Sequence, residues 1–152
     1  MKKIIFGIFA HPDDEAFGPS GTFLLETRAG TDLHLITLTA GENGNNPDNE
    51  ENLGEVRLRE WQAAGTLMGA TTMHHLGFTD GTINNHAFLD LSKKLETIVR
   101  DIASRQTVPV EIELVSRAHK GISGNIATLV ASRSAGVVWS TLKEDVSPRR
   151  RT

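Results

Sequence analysis

The stretch FAHPDDEAFG, residues 9 to 18, closes an apolar run with one histidine, one proline and three consecutive carboxylates, Asp13, Asp14 and Glu15. Ionised neighbours repel one another, so such a triplet needs a positive partner or a solvated turn. The imidazole of His11 beside carboxylate oxygens is a donor set for a divalent cation such as zinc. A dication would also stabilise adjacent ionised carboxylates by lowering their pKa values. Pro12, between His11 and Asp13, fixes one φ angle and stiffens the loop. A structural alternative exists: a turn in which Asp13 or Asp14 caps the next helix. Glu15 reads as a first-turn helix residue, favoured by the positive helix end, rather than as a ligand. Spacing alone leaves metal binding and capping open.

The elements that must carry this loop are legible from pattern. IIFGIFA (4–10) is apolar without alternation, as in a parallel strand covered on both faces. GTFLLETRAG reads as a helix closing at Gly30, and DLHLITLTAG (32–41) as a second strand. Residues 42–52 turn to Gly, Asn, Asp, Glu and Pro, the composition of a long loop. LGEVRLREWQAAGTLMGA has a helical period that sets Trp61, Ala64 and Met68 on one face, with Arg57 continuing it. TTMHHLGF predicts a third strand, and TDGTINN a turn. Residues 86–105 predict a helix with Leu89, Leu91, Leu95, Ile98, Val99 and Ile102 near its core side. VEIELVS (110–116) alternates as a strand does; GNIATLVASRSA predicts a short helix and GVVWSTL a final strand. Strands alternating with helices imply an α/β fold, a Rossmann-like three-layer sandwich with a mainly parallel sheet. Ligands of such sheets sit beyond the C-terminal strand ends, which is where residues 11–15 fall.

The bulk composition narrows the function. A chain of 152 residues with no internal repeat or linker predicts one domain, 1–152. A net charge of -3 offers no field for nucleic acid or an anionic membrane, and Arg149, Arg150 and Arg151 read as a frayed tail. With no cysteine, thiolate metal sites, disulfides and cysteine nucleophiles are excluded. No apolar run approaches the ~20 residues of a membrane span. MKKIIFGIFA imitates a leader peptide, but its short apolar run leads straight into HPDDE, so a core strand and a cytoplasmic protein are expected. No Gly-x-Gly-x-x-Gly or phosphate loop follows a strand, which argues against a nucleotide-binding module.

AHPDDE at the end of a first apolar strand resembles the signature of the PIG-L/LmbE-like deacetylases, zinc-dependent enzymes that remove acetyl groups from N-acetylglucosamine-type substrates. GEVRLREWQAAGTLMGA is similar to that family's Arg-x-x-Glu helix, and LGFTDG to its Leu-Gly-Phe-x-Asp-Gly turn. The likeness runs from about residue 3 to residue 142. It implies His11 and Asp14 as metal ligands and Asp13 as general base toward a metal-bound water. It also implies Arg57 and Asp80 as substrate-binding residues. Residue chemistry alone leaves Arg57 an equal claim as an ion pair with Glu60, and Asp80 as a plain Asp-Gly turn.

GISGNIATLVASRSA falls where the family carries Gly-His-x-Asp-His. By position Asn125 replaces the histidine beside the oxyanion, Ala127 the aspartate and Thr128 the third ligand. Asn125 can donate a hydrogen bond to an oxyanion but cannot hand a proton to the leaving amine. A threonine hydroxyl is a poor zinc ligand, so zinc should be held weakly or not at all unless His119, past the strand at 110–116, reaches in. His34, His74 and His75 lie within strands and read as structural, and His86 opens a helix. The expected activity is zinc-dependent removal of an N-acetyl group from a small amino sugar; the alternative is an inactive relative that keeps the scaffold or binds a sugar or nucleotide. Oligomeric state is not encoded in any pattern here.

Overall fold

The computed structural model describes residues 1–117 and 126–146, with side chains described to residue 142. Four strands form one parallel sheet in the order β3-β2-β1-β4: β1 (Lys2–Phe9), β2 (Asp32–Thr37), β3 (Thr72–His75) and β4 (Val110–Val115). The helices are α1 (Asp14–Phe17), α2 (Ser20–Arg28), α3 (Leu53–Leu67), α4 (Phe88–Ser104) and α5 (Ile126–Val146). Every described crossover between paired strands is parallel, so all C-terminal strand ends share one edge of the sheet.

The unbroken apolar run of β1 has a direct cause. Ile4, Phe6 and Ile8 face a layer made by α4 and α5, while Ile5 and Phe9 face Phe23 of α2 and Trp61 of α3. Both faces of the central strand are dry, which removes any polar phase. Gly7 is the exception in that run. A Cβ there would stand 2.9 Å from both Leu35 Cδ2 and Phe9 Cε2, so the glycine lets these side chains close over the strand. Phe23 and Leu35 are fully buried, each contributing about 1.5–3 kcal/mol of transfer free energy.

Two expectations are corrected. Residues 136–142 are not a strand: α5 runs without a break through Gly136. Among its buried residues, Ala127, Val130, Ala131, Ser134, Ala135 and Val138 recur at helical spacing, and this stripe packs with α4 and β1. The β-branched pair at 137–138 imitated a strand only because its neighbours were read in isolation. Leu89 is not a core residue but 68% exposed, because the helix at 86–105 starts with a 3₁₀ turn at Asn85–Ala87 and α4 begins at Phe88. Leu91, Leu95, Val99 and Ile102 form the buried face of α4, with Ile98 partly buried against it.

Candidate active site

The end of β1 delivers residues 11–15 to the C-terminal edge of the sheet. Asp13 stands at the N-cap of α1 with φ 98°, a left-handed backbone that costs on the order of 1 kcal/mol or more for a residue with a Cβ. Its carbonyl accepts from the amides of Ala16 and Phe17, and its side chain makes no cap. The side chain turns instead to Arg57, whose Nη2 donates to Asp13 Oδ2 at 2.7 Å.

Arg57 ties two loops together. Besides Asp13, its guanidinium donates to the carbonyl oxygens of Pro12 at 2.9 Å and Gly41 at 2.7 Å. Gly41 has φ +67°, and any Cβ on it would collide with the Arg57 guanidinium, so this glycine is needed twice over. The expected alternative for Arg57, a pair with Glu60, is not what forms; the partner is Asp13.

His11 and Asp14 form a second cluster. The His11 backbone amide donates to Asp14 Oδ2 at 3.3 Å, and Nδ1 lies 3.7 Å from the same oxygen. On the other side, Nε2 is 3.2 Å from Asp80 Oδ1. Asp80 is buried and clamped by the loop after β2: its amide donates to Glu42 Oε1 at 2.9 Å, its Oδ2 accepts from the Asn43 amide at 3.3 Å, and its carbonyl accepts from Asn43 Nδ2 at 2.6 Å. Burial alone would lower the His11 pKa. The hydrogen bond with Asp14 and the charges of Asp80 and Asp14 outweigh it, so the net shift is upward. For Asp13, burial raises the pKa and Asp14 adds to that, against the opposing pull of Arg57.

Two participants, Arg117 and Asn43, had no clear sequence signal. Arg117, just past the C-terminal end of β4, places Nε 2.8 Å from Asp14 Oδ1. It lies beyond a C-terminal strand end, where ligands of parallel sheets bind, but a lone arginine in a loop carries no signal by its type. Asn43 fixes Asp80 from within a stretch that read only as loop. Glu15 lies in α1 as expected, but it is 1% exposed and neither carboxylate oxygen has a hydrogen-bond partner among the described residues. Burial drives its pKa up to about 7, and the neighbouring charges of Asp13 and Asp14 add to the rise.

The donor chemistry of His11 and Asp14 suits a metal, but among the described residues no group of three or more His, Asp and Glu side chains is arranged to hold one. Thr128, which the resemblance sets against the family's third ligand, is buried in the first turns of α5. Asn125 and His119 lie outside the described residues, as does the arginine run at 149–151. His34 is buried in β2 and stacked on Phe6 with centroids 5.1 Å apart, in keeping with a structural role. Burial lowers its pKa to about 4 and also lowers those of His74 and His75.

The profile of the family described as GlcNAc-PI de-N-acetylase, PIG-L, matches residues 6–130. The chain belongs to the PIG-L family. A probable N-acetyl-alpha-D-glucosaminyl L-malate deacetylase 2 of Bacillus cereus is 30% identical to this PIG-L chain over 107 residues, covering 67% of it and 49% of that protein. A 1D-myo-inositol 2-acetamido-2-deoxy-alpha-D-glucopyranoside deacetylase of a Mycobacterium species (strain KMS) is 34% identical over 86 residues, covering 51% of this chain and 28% of that protein. The chain thus spans about half the length of the first of these curated relatives and less of the second. The solved N,N'-diacetylchitobiose deacetylase of Pyrococcus horikoshii superposes with a TM-score of 0.74 at 17% identity, over 96% of this chain and 55% of that one. That likeness carries the PIG-L fold: a parallel sheet between helix layers. No helix among the described residues is long and apolar enough to cross a membrane.

Proposed function

We propose that this chain carries the catalytic half-site of a metal-dependent hydrolase that removes an N-acetyl group from an N-acetylglucosamine-type substrate. The observation that carries the reading is the gathering of His11, Asp13, Asp14, Arg57 and Asp80 at one sheet edge, within a family of amino-sugar deacetylases. His11 and Asp14 are the proposed metal donors, and a third would come from beyond the described residues, where the sequence has one histidine, His119. A bound zinc would supply a water acidic enough to deprotonate near neutral pH and would polarise the amide carbonyl. Asp13 takes the proton from the attacking water; its raised pKa makes it a better base than an ordinary aspartate. Arg57 holds Asp13 in that position through the 2.7 Å contact. Asp80 orients His11 and presents its carboxylate to a substrate hydroxyl, and Asn125 is the proposed donor to the oxyanion. The domain is proposed to be single over 1–152 and to work in the cytoplasm.

One observation favours the second reading, an inactive relative: the buried Thr128 where a third ligand belongs. Metal analysis of the purified protein separates the two, since near-stoichiometric zinc favours the hydrolase and absence of metal the inactive scaffold. Asp13→Asn then tests the base. Acetate release from N-acetylglucosamine should fall by roughly 10²-fold or more with metal content retained. An undiminished rate in that variant refutes the role of Asp13.

A further inference from the structure

Asp14 has two side-chain oxygens, and they meet different neighbours. Oδ2 accepts from the His11 amide at 3.3 Å and stands 3.7 Å from His11 Nδ1. Two donors about 2.0–2.1 Å from a tetrahedral zinc lie roughly 3.4 Å apart, so this oxygen and this nitrogen have close to the spacing of two ligands on one ion. The other ring nitrogen, Nε2, is 3.2 Å from Asp80 Oδ1, the outer contact that orients a ligating imidazole. Oδ1 faces a cation instead: Arg117 Nε, 2.8 Å away. Only 9% of the Asp14 side chain and 24% of the Arg117 side chain are exposed, so solvent screens the pair little. A guanidinium stays protonated at any ordinary pH, so this charge is permanent. Asp14 is the one ion-pair partner of Arg117 among the described residues, whereas Arg57 bonds two backbone carbonyls besides Asp13.

We propose that Arg117 is a resident antagonist of the metal, a positioning residue that acts through Asp14. By holding Oδ1 it leaves Oδ2 as the one Asp14 oxygen for an ion beside His11, so the carboxylate cannot clasp that ion with both oxygens. Its positive charge lies across a single carboxylate from a dication and repels it. Both effects lower affinity, and removing the charge raises it. A merely structural role predicts the reverse: if the arginine only ordered Asp14, its loss would loosen the ligand and weaken binding. The inference rests on the reading of His11 and Asp14 as metal donors and adds the residue that sets how tightly they hold an ion.

The test reads binding, not turnover. Protein stripped with a chelator is titrated with zinc chloride in competition with a chromophoric chelator, for the parent, Arg117→Met, Arg117→Lys and Arg28→Met. Arg117→Met should bind zinc at least about 10-fold more tightly than the parent, the scale on which outer contacts of a metal ligand act. Arg117→Lys keeps a cation beside Asp14 and should stay within about 3-fold of the parent. Arg28→Met removes an exposed arginine from the last turn of α2, on the approach to the start of β2, and should likewise stay within about 3-fold, since a remote surface charge is screened. Thermal unfolding checks that each variant is folded, and Arg117→Gln repeats the loss of charge should the methionine impair folding. Equal or weaker zinc binding by the neutral variants overturns the proposal. So does zinc binding by neither parent nor variant, or a gain that Arg117→Lys or Arg28→Met shares. Acetate release from N-acetylglucosamine, measured separately at saturating zinc, decides the hydrolase reading. A zinc gain without acetate release keeps the antagonism and removes the reaction. A parent that holds zinc and releases acetate, with no gain in Arg117→Met, keeps the reaction and removes the antagonism.

Discussion

His34 should make this protein sensitive to mild acid by an amount that its surroundings fix. The imidazole is 3% exposed, stacks on Phe6, and shares Nδ1 with Thr72 Oγ1 at 2.7 Å, while Nε2 is buried without a partner among the described residues. Protonation would place a second N–H where nothing accepts it. Burial accordingly lowers the pKa from 6.5 to about 4. The unfolded chain binds the proton below 6.5 and the folded chain does not, so stability is fully present above 6.5 and falls as pH drops toward 4. The complete shift corresponds to about 3.4 kcal/mol, of which roughly 2.4 kcal/mol is expressed between about pH 7 and about pH 4.5. His34→Phe keeps a ring against Phe6 and leaves Thr72 Oγ1 its contact with His74 Nε2 at 2.9 Å. Urea unfolding, followed by Trp fluorescence across that pH range, reads the difference between parent and variant. All other titrating groups are common to both proteins, so the parent should lose about 2.4 kcal/mol more than His34→Phe. Parallel pH profiles would refute the reasoning, whatever the variant's absolute stability.

Glu15 works in the opposite direction: its folded pKa is raised from 4.5 to about 7, so stability is highest below 4.5 and is lost as pH rises through 7. Glu15→Gln should therefore gain roughly 2.5 kcal/mol on the parent between about pH 5 and about pH 8, read from the same urea series. Gly7→Ala drives a methyl against Leu35 and Phe9 and should cost about 1–3 kcal/mol, measured by thermal unfolding. Arg57→Lys keeps the charge but cannot reach Gly41 O, Pro12 O and Asp13 together; it should reduce acetate release by about 10-fold or more, and an unimpaired rate would remove Arg57 from the positioning of Asp13.

Much of the fold could be read because its causes are local. The unalternating run at 4–10, the stripe at Trp61 and Met68, and the turn residues after Gly41 each declare an element without reference to the others. The errors arose where tertiary packing overrules local preference. Val137, Val138 and Trp139 are good strand formers, yet Val138 continues a buried stripe that begins at Ala127, so the helix wins. Among the site residues, those on the first loop were visible because their types are improbable together. Arg117 and Asn43 were not, since a lone arginine or asparagine in a loop carries no information until the sheet edge brings it against Asp14 or Asp80.

The three adjacent carboxylates pose a single electrostatic problem in the sequence and have three different solutions in the fold. Asp13 is turned outward by its left-handed backbone and pairs with Arg57. Asp14 points inward between His11 and Arg117, with one oxygen engaged by each. Glu15 has no cation partner among the described residues and is instead buried, which raises its pKa to about 7 and lowers the cost of protonating it. Charge balance at this loop is therefore reached without a dication, and the carboxylate triplet by itself no longer argues for one. The case for a metal rests on the imidazole of His11 beside Asp14 and on the family. Any ion that binds there shares Asp14 with Arg117, whose Nε lies 2.8 Å from Oδ1 while Oδ2 faces His11, so the arginine's positive charge opposes metal binding at this carboxylate.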